Sequence, residues 1–277
     1  MLTEAQVAFF KANGYVKGNR VLSDDQVEQL REETLRVIRQ REDKSVRQPV
    51  MCHNMMGRDA AASGAGIWQI VNIWMASDPF LRHALSNPTV CEEVAQLHDD
   101  ANALRIWHDQ IQYKPSGKGG VNMWHQDSPY WGILTPKHAQ VTAWVALDDV
   151  DEGNGCMSMV PESHLWGNAI GFLHTLKNFD DLKQVREWEG HPLRIVTCPV
   201  RKGEVHYHHS MTWHGSHANT SDRPRRAVAL HYMTDETRYV AGGDHVMKQF
   251  VHANDGDVLT GDAFPVVFER AKALANA

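Results

Sequence analysis

The feature that most constrains this chain is a change in the period of its apolar pattern near Ala103. Before that point apolar residues recur at helical spacing; after it they alternate, which sends successive side chains to opposite faces of a strand. Leu104–Tyr113 alternates and runs into Lys114-Pro-Ser-Gly-Lys-Gly-Gly120, a cluster of turn residues. Further strands are expected over 121–126, 140–147, 156–160, 193–198, 203–209 and 225–233. Asp151-Glu-Gly-Asn-Gly155, Arg201-Lys-Gly203 and residues 219–224 supply turns between them. Many short strands without regular intervening helices describe an antiparallel sandwich or barrel.

The segment before the switch reads differently. The first fifty residues read as helical, with capping boxes at Thr3/Gln6 and Ser23/Gln26. Val27, Leu30, Thr34 and Val37 form a core-facing stripe, and Glu28, Arg31, Glu32, Arg36 and Arg39 a solvated face. The basic cluster from Arg31 to Arg47 is diluted by interleaved acids. Residues 53–66 read as a loop, and 78–99 as helical with Pro88 breaking it. The 277 residues are expected to form a single domain without internal repeats. Residues 1–100 make a mainly helical flank, 100–235 the β core, and 236–277 a C-terminal extension packed on it.

Composition excludes several classes. A hydrophobic fraction of 42% is too high for a disordered chain. A net charge of −6 argues against nucleic acid as a partner. The longest central apolar run, 141–147, is too short to span a bilayer, and Glu4 and Lys11 interrupt any secretory signal. The cysteines at 52, 91, 156 and 198 form no C-x-x-C pair, which fits reduced thiols in a cytoplasmic enzyme. The sequence carries no signal for oligomeric state.

Seventeen histidines direct attention to metal ligands. In Trp124-His-Gln-Asp-Ser128, His125 and Asp127 share one face of a strand, with Cα atoms roughly 6–7 Å apart. His214, after a strand and before a turn, is a third candidate. Two histidines and one carboxylate leave three octahedral positions open, the arrangement of non-haem Fe(II) chemistry with oxygen. His206 and His208 compete, being spaced by two on an expected strand; with His214 they would make a different metal site. His209, His217 and His231 are further competitors, so spacing alone leaves the ligand set open. Arg225, eleven residues after His214, faces the interior on the alternation of Ala227 and Ala229, whereas Arg226 faces outward. A buried guanidinium needs an anion, and it grips a carboxylate through two parallel hydrogen bonds. An α-keto acid chelating the metal and docking its distal carboxylate on Arg225 would meet that need.

Several segments in order carry a resemblance. They are Trp124-His-Gln-Asp-Ser, Val141-Thr-Ala-Trp-Val-Ala-Leu-Asp-Asp149, Asn154-Gly-Cys-Met157, Pro161-Glu-Ser-His164, His214-Gly-Ser216, Asn219 and Arg225. With them the chain resembles the phytanoyl-CoA hydroxylase family of Fe(II)/2-oxoglutarate-dependent oxygenases. The resemblance implies a mostly β fold with flanking helices around a double-stranded β-helix, a jelly-roll or cupin-like core. It implies Fe(II), with 2-oxoglutarate and O2 as co-substrates and succinate and CO2 as co-products. His125, Asp127 and His214 would be the iron ligands, and Arg225 with Ser216 would hold the distal carboxylate. Trp144 would lie against the co-substrate, with Gln110 beside it and Gln112 sharing that face. Asp127 occupies the position that halogenating relatives open for a halide, which favours hydroxylation. Glu162 departs from the family's Pro-Gly-Ser-His turn.

The substrate is expected to be a small polar or anionic molecule. Tyr130, Trp131, Trp166, His208, His231, Asn72 and Trp74 are candidate pocket residues. An acyl-CoA would want a basic landing patch, which the net charge does not supply. The competing expectation is a non-catalytic or differently metallated cupin-like metal-binding protein.

Overall fold

The computed structural model describes residues 1–62, 65–98 and 101–270. Residue 99, at the end of the expected helix 78–99, and residues 271–277 of the C-terminal extension lie outside that description. In chain order the main elements begin with α1 (Glu4–Asn13), β1 (Tyr15–Arg20), α2 (Asp24–Arg39), β2 (Met51–Asn54), β3 (Trp68–Val71) and α3 (Pro88–Leu97). There follow β4 (Ala103–Lys114), β5 (Asn122–His125), β6 (Gln140–Ala146), β7 (Met157–Met159) and β8 (Val196–Cys198). The last are β9 (Glu204–His209), β10 (His214–Ser216), β11 (Arg225–Thr234) and β12 (Val266–Glu269).

The strands form two antiparallel sheets. The larger runs β1-β9-β6-β11-β4-β3-β2, with β12 also on β4; the smaller runs β8-β7-β10-β5. This is the double-stranded β-helix. Both faces of the larger sheet are buried, so β6 is buried at every position, and alternation decides only which side each residue serves. Val141, Ala143 and Val145 of β6, Val205 and Tyr207 of β9, and Val228, Leu230 and Tyr232 of β11 join one core with Leu30 of α2 and Val94 of α3. The intervening residues Thr142, Trp144, His208, Ala229 and His231 line a cavity together with residues of the smaller sheet.

The flank departs from its sequence reading. Tyr15–Arg20 is a strand, not helix, and pairs with β9. Met51–Asn54 opens the expected loop as a strand, and β2 and β3 extend the larger sheet past β4. These strands are short and lack clear alternation; pairing to a preformed edge decides them, as tertiary context overrides propensity. Helices do cover the outer face. The capping boxes at Thr3/Gln6 and Ser23/Gln26 both form. The expected helix 78–99 breaks before Pro88, whose helix is capped by Asn87. No described helix is long and apolar enough to cross a membrane.

Several arginines of the basic cluster from Arg31 to Arg47 are paired with acids. Arg31 meets Glu28 and Asp148, Arg36 meets Glu33, and Arg47 meets Asp78. Arg226 points outward as expected, but its guanidinium makes two hydrogen bonds to Asp148, at 2.9 and 2.8 Å.

Candidate active site

The smaller sheet brings the two histidines together. His214 of β10 pairs directly with His125 of β5, and the ladder shifts between His214 and Ser216. Gly215 makes that possible. A Cβ there would lie 2.9 Å from the Asn122 carbonyl oxygen and 2.9 Å from the Phe179 ring. The chain then turns at Asp127, where the amides of Asp127 and Ser128 both donate to the Ser210 carbonyl at 3.0 Å. Gln126 points away and is fully employed. Its amide donates to the carbonyls of Gly167 and Met211, and its oxygen accepts from the Ala169 amide.

One ligand atom from each of His125, Asp127 and His214 lies within 4.8 Å of the others. Asp127 Oδ1 is 3.8 Å from His125 Nε2 and 3.5 Å from His214 Nε2. Both imidazoles have their protons assigned by a neighbour. His125 Nδ1 donates to the Met123 carbonyl at 2.8 Å, and His214 Nδ1 to that of Thr212 at 2.9 Å. Each Nε2 therefore presents a lone pair, the tautomer that metal ligation requires. Burial, the largest influence, pushes both histidines down to about 4, so they are neutral at pH 7. Burial pushes Asp127 up, but the surrounding histidines outweigh it and hold the carboxyl well below its usual range.

The second oxygen of Asp127 has its own partners. Thr142 Oγ1 donates to Oδ2 at 2.9 Å and His208 Nε2 lies 3.1 Å from it. Thr142 has one proton, so its oxygen accepts from His231 Nδ1 at 2.8 Å. With Nε2 facing the carboxylate, His208 supports a ligand rather than being one. Among the described residues His125, Asp127 and His214 form the single cluster able to hold a metal ion. The rival set of His206, His208 and His214 does not converge; His206 stacks on Tyr15.

Arg225, Ser216, Trp144, Gln110 and Gln112 all line the same cavity, whose volume is about 760 Å³. Arg225 is 1% exposed, and among the described residues no carboxylate pairs with it. Its Nη2 lies 3.4 Å from Ser216 Oγ, its Nε and Nη1 are buried without partners, and its guanidinium sits over the Trp144 ring. Burial pushes the group down to about 10. A buried cation without a counter-ion is costly unless an anion meets it. Gln112 is engaged by Asn122, whose amide donates to it, which leaves Gln110 as the freer amide.

Of the expected pocket residues, Tyr130, Trp131, His208 and His231 line the cavity. Three do not. Trp166 stacks on His191 and packs against Trp213. Asn72 and Trp74 belong to a turn built on Asp109, which points away from the cavity between His108 and Gln110. Asp109 accepts from the amides of Ile73 and Trp74, and its own amide donates to Asn72. The cavity also recruits residues that the sequence did not mark, among them His108, His174, His245, Met51 and Met55. For His108 a signal existed in the β4 alternation. A bulge opposite His231 and Tyr232 places Trp107 and His108 both inward.

Comparison with known proteins places this geometry. The sequence model of the phytanoyl-CoA dioxygenase (PhyH) family matches residues 10–227. The peroxisomal phytanoyl-CoA dioxygenase of Rattus norvegicus is 22% identical over 258 residues, covering 87% of this chain and 71% of that one. Among solved structures, the non-heme alpha-ketoglutarate-dependent carbocyclase SnoK of nogalamycin biosynthesis superposes with a TM-score of 0.74. It is 27% identical, with 96% of this chain and 97% of that chain covered. The epimerase SnoN, in complex with Fe3+, alpha-ketoglutarate and nogalamycin RO, shares the fold with a TM-score of 0.70 at 23% identity, over 96% and 98% of the chains. With the family pattern spanning most of its length around one His-Asp-His cluster and one unpaired arginine, the chain belongs to the phytanoyl-CoA dioxygenase (PhyH) family of iron- and 2-oxoglutarate-dependent oxygenases.

Proposed function

We propose that this oxygenase hydroxylates an aliphatic C–H bond of a small, polar, uncharged molecule, with succinate and CO2 as co-products. The observation that carries the reading is the pairing, in one cavity, of a convergent His-Asp-His cluster with an arginine that has no anion. The residues fit the cofactors. His125 Nε2, Asp127 Oδ1 and His214 Nε2 would hold Fe(II), and Arg225 with Ser216 would take the distal carboxylate of 2-oxoglutarate over Trp144. The chemistry supplied when iron, 2-oxoglutarate and O2 are bound is oxidative decarboxylation coupled to transfer of one oxygen atom into substrate. The chain's own part is positional. Thr142 and His208 fix the Asp127 carboxylate. The carbonyls of Met123 and Thr212 fix both imidazole tautomers. The apolar walls exclude water.

The cavity lining refines the substrate class. Among its described residues Arg225 is the one lysine or arginine. Once 2-oxoglutarate occupies it, the described lining offers no further lysine or arginine for a phosphate or carboxylate of the substrate, which favours a neutral molecule over an anionic one. Met51, Met55, Val121, Leu173 and Leu176 offer an apolar face. Against it stand His108 and His231. His108 Nδ1 donates to the Asp109 carbonyl and His231 Nδ1 to Thr142, so both Nε2 atoms are acceptors. A substrate with an apolar body and a hydroxyl or amine donor matches that wall.

The test is anaerobic addition of Fe(II) and then 2-oxoglutarate to the apoprotein. A weak visible charge-transfer band, lost in Arg225→Ala, is the expected result. Iron binding without a band in the unaltered protein overturns the reading. Succinate release then screens neutral hydroxylated candidates against phosphorylated ones.

A further inference from the structure

A second buried cation stands behind the arginine. Lys114 ends β4 directly opposite Arg225 in the β11 ladder, and its side chain is 0% exposed. Among the described residues no carboxylate meets it. Its ammonium donates to Ser216 Oγ at 2.7 Å, to the Ser216 carbonyl at 3.3 Å and to the His217 carbonyl at 2.6 Å. The group is sealed in place. Gly119 lies so close that a Cβ there would stand 2.5 Å from Lys114 Cβ, and Asn219 ties down the Lys114 and Pro115 carbonyls. Lys114 is absent from the cavity lining, whereas Ser216 and Arg225 are part of it.

The consequence lies in the Ser216 hydroxyl. That oxygen faces two cationic donors, Lys114 Nζ at 2.7 Å and Arg225 Nη2 at 3.4 Å. A hydroxyl has two lone pairs and one proton. With its lone pairs facing the donors, the proton is directed away from both. Two basic side chains and one oriented O–H then converge where no carboxylate of the described residues reaches. Charge-assisted hydrogen bonds to a carboxylate are about twice as strong as neutral ones.

We propose that Lys114 is a positioning residue for 2-oxoglutarate: it orients the Ser216 hydroxyl as a donor to the distal carboxylate and adds a second positive charge behind it. This inference rests on the reading of the cavity as a 2-oxoglutarate site. It agrees with the electrostatics, since burial and then the neighbouring guanidinium push the Lys114 ammonium well below the lysine range. A bound carboxylate relieves that repulsion. It also accounts for a lysine, rather than an apolar side chain, being buried beneath a strand end.

The experiment compares two keto acids on the Fe(II) protein under anaerobic conditions. One is 2-oxoglutarate; the other is 2-oxobutyrate, which chelates metal equally but lacks the distal carboxylate. The charge-transfer band gives the Kd of each. Lys114→Met should raise the Kd for 2-oxoglutarate about tenfold and leave that for 2-oxobutyrate within twofold, with Fe(II) affinity unchanged. Lys114→Gln, which keeps a neutral donor, should fall between, and it carries the test if the methionine variant does not fold. Ser216→Ala combined with Lys114→Met should be less than additive, because the lysine acts through the serine. An unchanged 2-oxoglutarate Kd in both lysine variants overturns the proposal. Equal losses for both keto acids also overturn it, since a purely structural lysine would disturb them alike. Absence of the band in the unaltered protein overturns the 2-oxoglutarate site itself, a result distinct from failure of the lysine variants alone.

Discussion

Thr142 spends its one proton on Asp127 and its lone pair on His231, so a single hydroxyl joins a proposed metal ligand to the proposed substrate wall. Thr142→Val keeps the shape and removes both bonds. Partners that orient a metal ligand are worth about 10–100-fold in affinity. Competition with a chelator should therefore show Fe(II) affinity falling by about tenfold or more in this variant. Glu162 makes a contrasting case. It takes φ 67°, a left-handed conformation that glycine adopts freely and other residues resist. The turn survives, because the Glu162 amide donates to the Asn13 carbonyl and Ser163 Oγ accepts from the Trp213 amide beside His214. Urea unfolding of Glu162→Gly should show a gain of about 1 kcal/mol, with iron affinity unchanged.

At the level of elements, α2 is fastened to the sheet through one carboxylate. Asp148 accepts from Arg31 on the helix and from the Arg226 guanidinium and amide on β11. Breaking a buried charge network leaves its partners uncompensated, at about 3 kcal/mol. Asp148→Ala should lower the unfolding free energy read from urea titration by about that much, and activity per folded molecule should persist. The same elements explain what could be read in advance. The long strands β4, β6, β9 and β11 were legible because each is an alternating or continuous apolar stretch bounded by turn residues. The resemblance then named His125, Asp127, His214 and Arg225, which the fold brings into one cavity. β1 and β3 were not legible, since their partners β9 and β4 lie further along the chain, and β2 is a four-residue strand that rests on β3. His108 was overlooked although it shares the alternation of Gln110 and Gln112, and His245 lies in a segment without periodicity. Trp166, Asn72 and Trp74 were misplaced because an aromatic or amide beside a motif in sequence can still face another core.

The whole molecule buries many neutral histidines, and this sets its response to acid. Burial foremost holds His125, His214 and His231 at about 4 and His209 at about 3, against 6.5 for an unhindered imidazole. Below pH 6.5 the unfolded chain takes up protons that the folded one refuses. Stability is therefore full above about 6.5 and falls as pH drops toward 4, by at most about 1.4 kcal/mol per pH unit for each group. Thermal melts of the metal-free protein across that range should show the decline. A constant Tm from pH 7 to 5 would contradict it. The pairing of β1 with β9 has a consequence of another kind. β9 carries His208, and β1 covers its otherwise open edge from Tyr15 to Arg20. Removing the first twenty residues would offer those backbone groups to any extended chain, the condition under which sheets recruit copies of themselves. Such a truncation should elute as oligomers in size-exclusion chromatography.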